Sequence, residues 1–194
     1  MREFIRRPRL TGAVAPKSPT LAQAMTSGLG LDRVDVVVEL GPGTGAITGA
    51  ILRQLAPGAR LVAVELNPVF AGRLAERYAD SAVEVVQSSA EDLATLVPYP
   101  VDAIVSGLPW TVMPYEGQRR ILDAAAGALS TNGRFSTFAY VHTAWTPPAR
   151  RFATVARSRV VWPNVPPAYV HHAAHPMHRT PPPAVSGNTM TTPF

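Results

Sequence analysis

The chain has 194 residues, 46% of them apolar and 16% charged, with a formal net charge of +5 and no cysteine. That suffices for one domain with a sizeable core and excludes a disordered or fibrous chain. It also excludes a disulfide framework, a thiolate nucleophile and a cysteine-ligated metal.

Charge is unevenly spread. No Asp or Glu follows Asp123, while Arg134, Arg150, Arg151, Arg157, Arg159 and Arg179 do. The first nineteen residues hold Arg2, Arg6, Arg7, Arg9 and Lys17 against Glu3. Two basic ends suit a phosphate-bearing partner, lipid or nucleic acid. Residues 1–10 lack the apolar run of a signal peptide, and no stretch approaches the roughly 20 apolar residues of a bilayer span. The expectation is a cytoplasmic protein whose membrane contact is peripheral.

In chain order, residues 1–28 read as a basic arm with a short helix. Ser18 is its N-cap, Pro19 follows in the first turn, and the helix stops near Gly28. Residues 34–40 (VDVVVEL) form a β-branched run, as expected of a buried parallel strand. Glycines 41–45 predict a turn, then 46–55 a helix, 60–66 a strand, 68–78 a helix and 83–87 a strand. Further strands are predicted at 101–105 and 134–141, around a helix at 116–129. Residues 159–162 and 168–173, separated by prolines, are read as a final pair of strands. From Pro176 the composition predicts a disordered tail, which leaves 29–175 as the domain. This alternation indicates an α/β class, a Rossmann-like doubly wound seven-stranded sheet, mostly parallel with a C-terminal antiparallel strand.

The strongest local signal is Glu39-Leu40-Gly41-Pro42-Gly43-Thr44-Gly45 directly after the first strand. Its glycines let the backbone turn tightly against a bound nucleoside. The spacing is not that of the dinucleotide fingerprint, and no P-loop lysine follows. An acid two residues before the first glycine suits an amine-bearing ligand. Glu65 ends the second strand, in position for a ribose diol, and Ser89-Ala90-Glu91-Asp92 follows the third. Ser106-Gly107-Leu108-Pro109-Trp110 follows the fourth. Trp110 is either an aromatic wall of a ligand site or a packing residue. Tyr140, His142 and Tyr115 are candidates to line an amine site. His171, His172, His175 and His178 do not share a face and have no carboxylate nearby, so no metal site is expected.

The loop pattern resembles that of class I S-adenosylmethionine methyltransferases. The resemblance implies S-adenosylmethionine as cofactor and S-adenosylhomocysteine as product. It implies cofactor contacts from Glu39, Gly41, Gly43, Gly45, Glu65, Leu66 and Ser106, with Asp92, and after it Glu91, at the adenine amino group. Gly107, Leu108, Trp110 and Tyr140 would then border the acceptor. Gly107 stands where ribosomal RNA adenine dimethylases carry Asn, which disfavours nucleic acid as the acceptor. Residues 11–25, 106–109 and 159–168 (RVVWPNVPPA) are similar to bacterial phospholipid N-methyltransferases. That family implies stepwise methylation of phosphatidylethanolamine at an anionic membrane surface, with Arg150, Arg151, Arg157 and Arg159 available for the lipid phosphate. An RNA adenine methyltransferase, a small-molecule amine methyltransferase and a non-enzymatic adaptor are the competing readings. Oligomeric state is not legible.

Overall fold

The computed structural model describes residues 17–142 and 151–177. Residues 1–16 of the predicted arm, Arg150, His178, Arg179 and the rest of the tail lie outside the described residues. The sheet has seven strands in the order β3-β2-β1-β4-β5-β7-β6. These are β1 (Val36–Leu40), β2 (Arg60–Glu65), β3 (Val83–Gln87), β4 (Val101–Ser106), β5 (Leu129–Tyr140), β6 (Phe152–Arg157) and β7 (Ala168–Pro176). β1 to β5 pair in parallel, and β7 runs antiparallel to both its neighbours.

Among the described residues, five α-helices flank the sheet: α1 (Pro19–Thr26), α2 (Ala46–Leu52), α3 (Pro68–Arg77), α4 (Leu93–Leu96) and α5 (Tyr115–Ala128). The central strands are apolar at consecutive positions because both their faces are covered. Val38, Ile104 and Phe135 pack on one face with Leu93, Ile121 and Leu122. Val37, Val105 and Phe138 pack on the other with Leu21, Met25, Ile47 and Ile51. α1 is therefore part of the core, and the segment predicted as an arm is built into the domain from Leu21 onward. Ser18 caps it as expected, its side chain accepting from the Leu21 N–H at 3.1 Å.

The final strand pair differs from the expectation. Residues 159–162 contribute only an isolated bridge, Val161 to Ala168, and the sixth strand is Phe152–Arg157. β6 is an edge strand of which only Phe152 is buried, so it lacks an alternating apolar signature. Past Val161, Pro163 removes the N–H that would continue a ladder. β5 starts earlier than predicted, because a register shift between Val101 and Ala103 admits residues 130–133. β7 carries Pro176 in register with Phe152, and the Met177 N–H donates to the Arg151 carbonyl at 2.9 Å, so the predicted tail begins later.

β1 and β4 are adjacent while their crossovers lead to opposite sides, which makes their carboxyl ends the switch point of the sheet. The same two strands are pinned together at their amino ends, where the Asp102 carboxylate accepts the N–H groups of Asp35 and Val36, both at 3.0 Å. One aromatic stack supports them from behind. Phe135 lies parallel to Phe152 at 5.5 Å and edge-on to Trp110 at 6.3 Å. All three are at most 2% exposed. Truncation Phe135→Ala is expected to cost about 3–5 kcal/mol, read as a lowered urea midpoint with unchanged m-value.

Candidate active site

β1 ends in two residues of opposite character, Glu39 and Leu40, both fully buried. Beyond them Gly41, Gly43 and Gly45 all adopt positive φ, at +68°, +55° and +81°. The turn is held by Gly41 N–H to the Val64 carbonyl at 2.9 Å and Gly45 N–H to the Pro42 carbonyl at 3.0 Å. Glu65, at the end of β2, stiffens it: Oε2 accepts the Gly43 N–H at 3.0 Å and Oε1 the Asn67 N–H at 2.9 Å. Each oxygen keeps a second lone pair for a ligand.

Glu39 accepts from the Thr48 hydroxyl at 2.6 Å through Oε2, while its buried Oε1 has no hydrogen-bond partner among the described residues. Burial pushes its carboxyl up to about 7, against the Thr48 hydrogen bond and Lys17, with Glu65 adding to the rise. A buried acceptor left unmatched is costly unless something fills it.

The loop after β4 faces the glycine turn backbone to backbone. Gly107 N–H donates to the Leu40 carbonyl at 2.8 Å. A Cβ at Gly107 would lie 2.7 Å from the Gly41 carbonyl oxygen, and one at Gly41 would lie 2.7 Å from Leu108 Cδ2. Ser106 is fully buried and accepts from Trp110 Nε1 at 3.1 Å. Trp110 is therefore not the aromatic wall: its ring lies in the core against Phe135, driven there by its apolar area once the indole N–H is satisfied. A second aromatic row lies on β5, outside the residues that line the cavity described below. Phe138 meets Tyr140 edge-on at 5.4 Å, and Tyr140 stacks on the exposed His142 at 5.7 Å. Burial holds the Tyr140 hydroxyl above its ordinary value, so it is a poor source of phenolate at neutral pH.

A cavity of about 500 Å³ opens between these loops, lined among others by Gly41, Glu65, Leu66, Ser89, Leu108 and Arg120. Of the predicted site residues, the structure thus brings Gly41, Glu65, Leu66 and Leu108 to the cavity wall. Gly43, Gly45, Glu39, Ser106 and Gly107 are not among the lining residues. The acids after β3 are placed otherwise. Asp92 is exposed, accepts the Ser88 hydroxyl at 3.2 Å and lies outside the lining. Glu91 is engaged by Arg120 at 2.8 and 3.3 Å on the rim. Ser89 and Ala90 face the cavity in their stead.

Tyr115 is 74% exposed beside the rim. Arg151 sits at the opposite end of the sheet, bound to Asp123 at 2.6 Å, whereas Arg157 and Arg159 are exposed toward the cavity end. His171 is buried, and burial with Arg157 and His172 pushes it down to about 4.

Sequence reasoning missed two residues. Phe138 reads as one more core position of a strand. Lys17 reads as one more basic residue, yet its Nζ lies 5.5 Å from the Phe138 ring centre, and it acts electrostatically on Glu39 and Glu65. The available signal was its uniqueness, for Lys17 is the sole lysine among 18 Lys and Arg residues.

Because Glu39 is raised above its unfolded value, its contribution to stability is full below about pH 4.5 and lost as pH rises through about 7. Glu39→Gln removes that titration. Its melting temperature relative to wild type is expected to climb between pH 5 and pH 7.5. A constant difference across this range contradicts the assignment.

A family model described as a methyltransferase domain matches residues 37–133. An ornithine lipid N-methyltransferase from Singulisphaera acidiphila is 33% identical over 69% of this chain and 72% of its own length. The ribosomal RNA small subunit methyltransferase A of Kineococcus radiotolerans is 42% identical over 40% of this chain, which spans 27% of that relative. Among solved structures, a T. thermophilus 16S rRNA N2 G1207 methyltransferase in complex with AdoMet and guanosine aligns with a TM-score of 0.65 at 22% identity. That alignment covers 84% of this chain and 44% of the other, a likeness of fold. With the seven-stranded sheet, the glycine turn after its first strand and these matches, the chain belongs to the class I S-adenosylmethionine-dependent methyltransferases.

Proposed function

We propose that this enzyme methylates the primary amine of a membrane aminolipid, with phosphatidylethanolamine first among the candidates. The observation that carries the lipid reading is the rim of the cavity end of the sheet. Trp162 is 70% and Val165 81% exposed there, in the loop between β6 and β7. Val141, Val112 and Leu66 add apolar surface on neighbouring loops, and Arg157 and Arg159 stand exposed beside it. An apolar rim flanked by arginines matches an anionic lipid surface, with about 1 kcal/mol contributed per basic residue near it. No helix among the described residues is long and apolar enough to cross a membrane. The lipid-modifying relative supports the same reading.

The residues present fit the cofactor. Glu39 Oε1 offers a buried acceptor to its amino group, and the cradle at Gly41 and Gly43 admits its amino-acid part without a Cβ in the way. Glu65 and Leu66 stand where a ribose would lie, with Ser89 and Ala90 beyond them for the base. When bound, S-adenosylmethionine supplies an activated methyl on sulfonium. The protein's part is alignment and exclusion of water. Leu108 shapes the wall at the transfer point, Gly107 keeps its loop within reach of Gly41, and Ser106 with Trp110 locks that loop. Tyr140, half-buried at the end of β5, is available to give the acceptor ammonium an aromatic face.

Purified protein with radiolabelled S-adenosylmethionine is expected to label phosphatidylethanolamine or ornithine lipid in anionic vesicles, and to lose that activity on Glu65→Ala. Label in ribosomal RNA but in neither lipid refutes the aminolipid reading. The double variant Trp162→Ala, Val165→Ser is expected to weaken vesicle sedimentation about tenfold, equivalent to ~1.4 kcal/mol of lost apolar contact, while S-adenosylhomocysteine binding is unchanged.

A further inference from the structure

An acceptor amine is an ammonium in water and has no lone pair to offer until it sheds a proton. The residues first expected to receive that proton are poorly suited to it, because Tyr140 is held protonated by burial and His142 is exposed on the far side of Tyr140. The structure brings a different group to the place. Position 107 has no side chain and no room for one, since a Cβ would meet the Gly41 carbonyl oxygen at 2.7 Å and Ile47 Cδ1 at 3.3 Å. The next nearest atom, at 3.4 Å from that vacant Cβ position, is Lys17 Cε. A lysine from a remote part of the chain thus fills the space beside the loop that borders the transfer point.

Lys17 is not there as part of a loose terminus. The next residue, Ser18, caps α1 through its side chain and donates its backbone N–H to Asn164 Oδ1 at 3.0 Å. Asn164, 3% exposed, is itself fixed by donation to the Pro166 carbonyl at 2.7 Å. The Phe138 ring centre on β5 lies 5.5 Å from the amine, and the carboxyl groups of Glu39 on β1 and Glu65 on β2 act on it electrostatically. Tyr140 and His142 continue the aromatic row beyond Phe138.

We propose that Lys17 is the catalytic proton acceptor for the substrate ammonium, held beside the transfer point by its packing against Gly107. The proposal rests on the amine-methylation reading. The proton passes from the acceptor –NH₃⁺ to the Lys17 –NH₂, leaving a lone pair on the acceptor nitrogen and an ammonium on Lys17, which returns the proton to water. Each further methylation leaves an N–H on the product until the nitrogen is quaternary, so the same residue serves every round.

The choice of residue supports this. Every other fixed cation in the chain is arginine, which does not release its proton in proteins, and the one lysine stands where release is useful. Burial holds it below the ordinary lysine value, the nearby carboxylates opposing that shift. A bound sulfonium cofactor adds positive charge to the same corner and favours the neutral amine further.

Because Lys17 is the sole lysine, competitive trace acetylation of the full chain across pH, read by mass spectrometry, reports its titration without reference to activity. With S-adenosylhomocysteine bound, the midpoint is expected well below the ~10.4 of a free lysine. Lys17→Arg and Lys17→Met are expected to lose about 100-fold or more in aminolipid methylation at pH 7 while keeping S-adenosylhomocysteine affinity within a few-fold. Added methylamine is expected to restore part of the Lys17→Ala rate, a rescue that a purely structural role would not show. A midpoint at the ordinary lysine value, or a near-wild-type rate and pH profile in Lys17→Met, overturns the proposal and leaves the aminolipid reading standing. If the wild type labels no amine, the aminolipid reading falls and the proposal falls with it, whatever the acetylation midpoint.

Discussion

The contact on which the rest of the site depends is the approach of two backbones at the switch point. Gly107 donates to the Leu40 carbonyl while its α-carbon presses on the Gly41 carbonyl, so that a methyl group at 107 would stand 2.7 Å from that oxygen. Gly41 in turn sits under the Leu108 side chain. Neither loop can move away, because β1 and β4 are neighbours in register from Val37–Ala103 to Leu40–Ser106. The turn that cradles one ligand and the loop that borders the other are therefore a single rigid object. Close-packed interiors transmit small changes, and a side chain at either glycine would be felt at both ligand positions.

Two buried acids next to that contact behave differently, and the reason is local. Glu65 has backbone N–H groups on both carboxylate oxygens, so its charge is compensated and it serves as a brace for the turn. Glu39 has one hydroxyl on one oxygen and nothing on the other, and burial raises its carboxyl to about 7. An acid held in that state can take up a cation at little desolvation cost, because the cost is already built into the folded protein. The same corner contains Lys17, whose electrostatic interaction with Glu39 opposes that rise.

Much of this was legible in the sequence where the signal was local. The run 34–40 is apolar at successive positions because both its faces are covered, and the glycine spacing announced the turn. The Ser18-Pro19 pair announced the cap of α1. What was not legible depended on the third dimension. β6 buries only Phe152, so an edge strand passed for a loop, and the neighbouring RVVW run carried the stronger strand signal in its place. Trp110 had two possible roles, and the choice of the core followed from Phe135 and Phe152, which lie in sequence 25 and 42 residues away. The acids after β3 stood at the right strand end, but the short helical turn at Ala90–Asp92 directs Asp92 outward and presents Ser89 and Ala90.

Charge shows the same division. The arginines after Asp123 were one basic group in the sequence, but the antiparallel course of β6 and β7 separates them. Arg151 is carried to the far end and bound to Asp123, while Arg157 and Arg159 are carried to the cavity end beside Trp162. Only the latter pair shares a surface with the exposed apolar loops. An interfacial surface needs both features together, since scattered arginines on a polar face are solvated and bind weakly. Lys17 belongs to neither set, being drawn under the loop by the Ser18–Asn164 hydrogen bond that ties the first helix to the β6–β7 connection. One tether thus joins the residue beside Gly107 to the loop that carries Trp162 and Val165. Any force that seats this loop on a lipid surface acts directly on the segment that holds Lys17 beside Gly107.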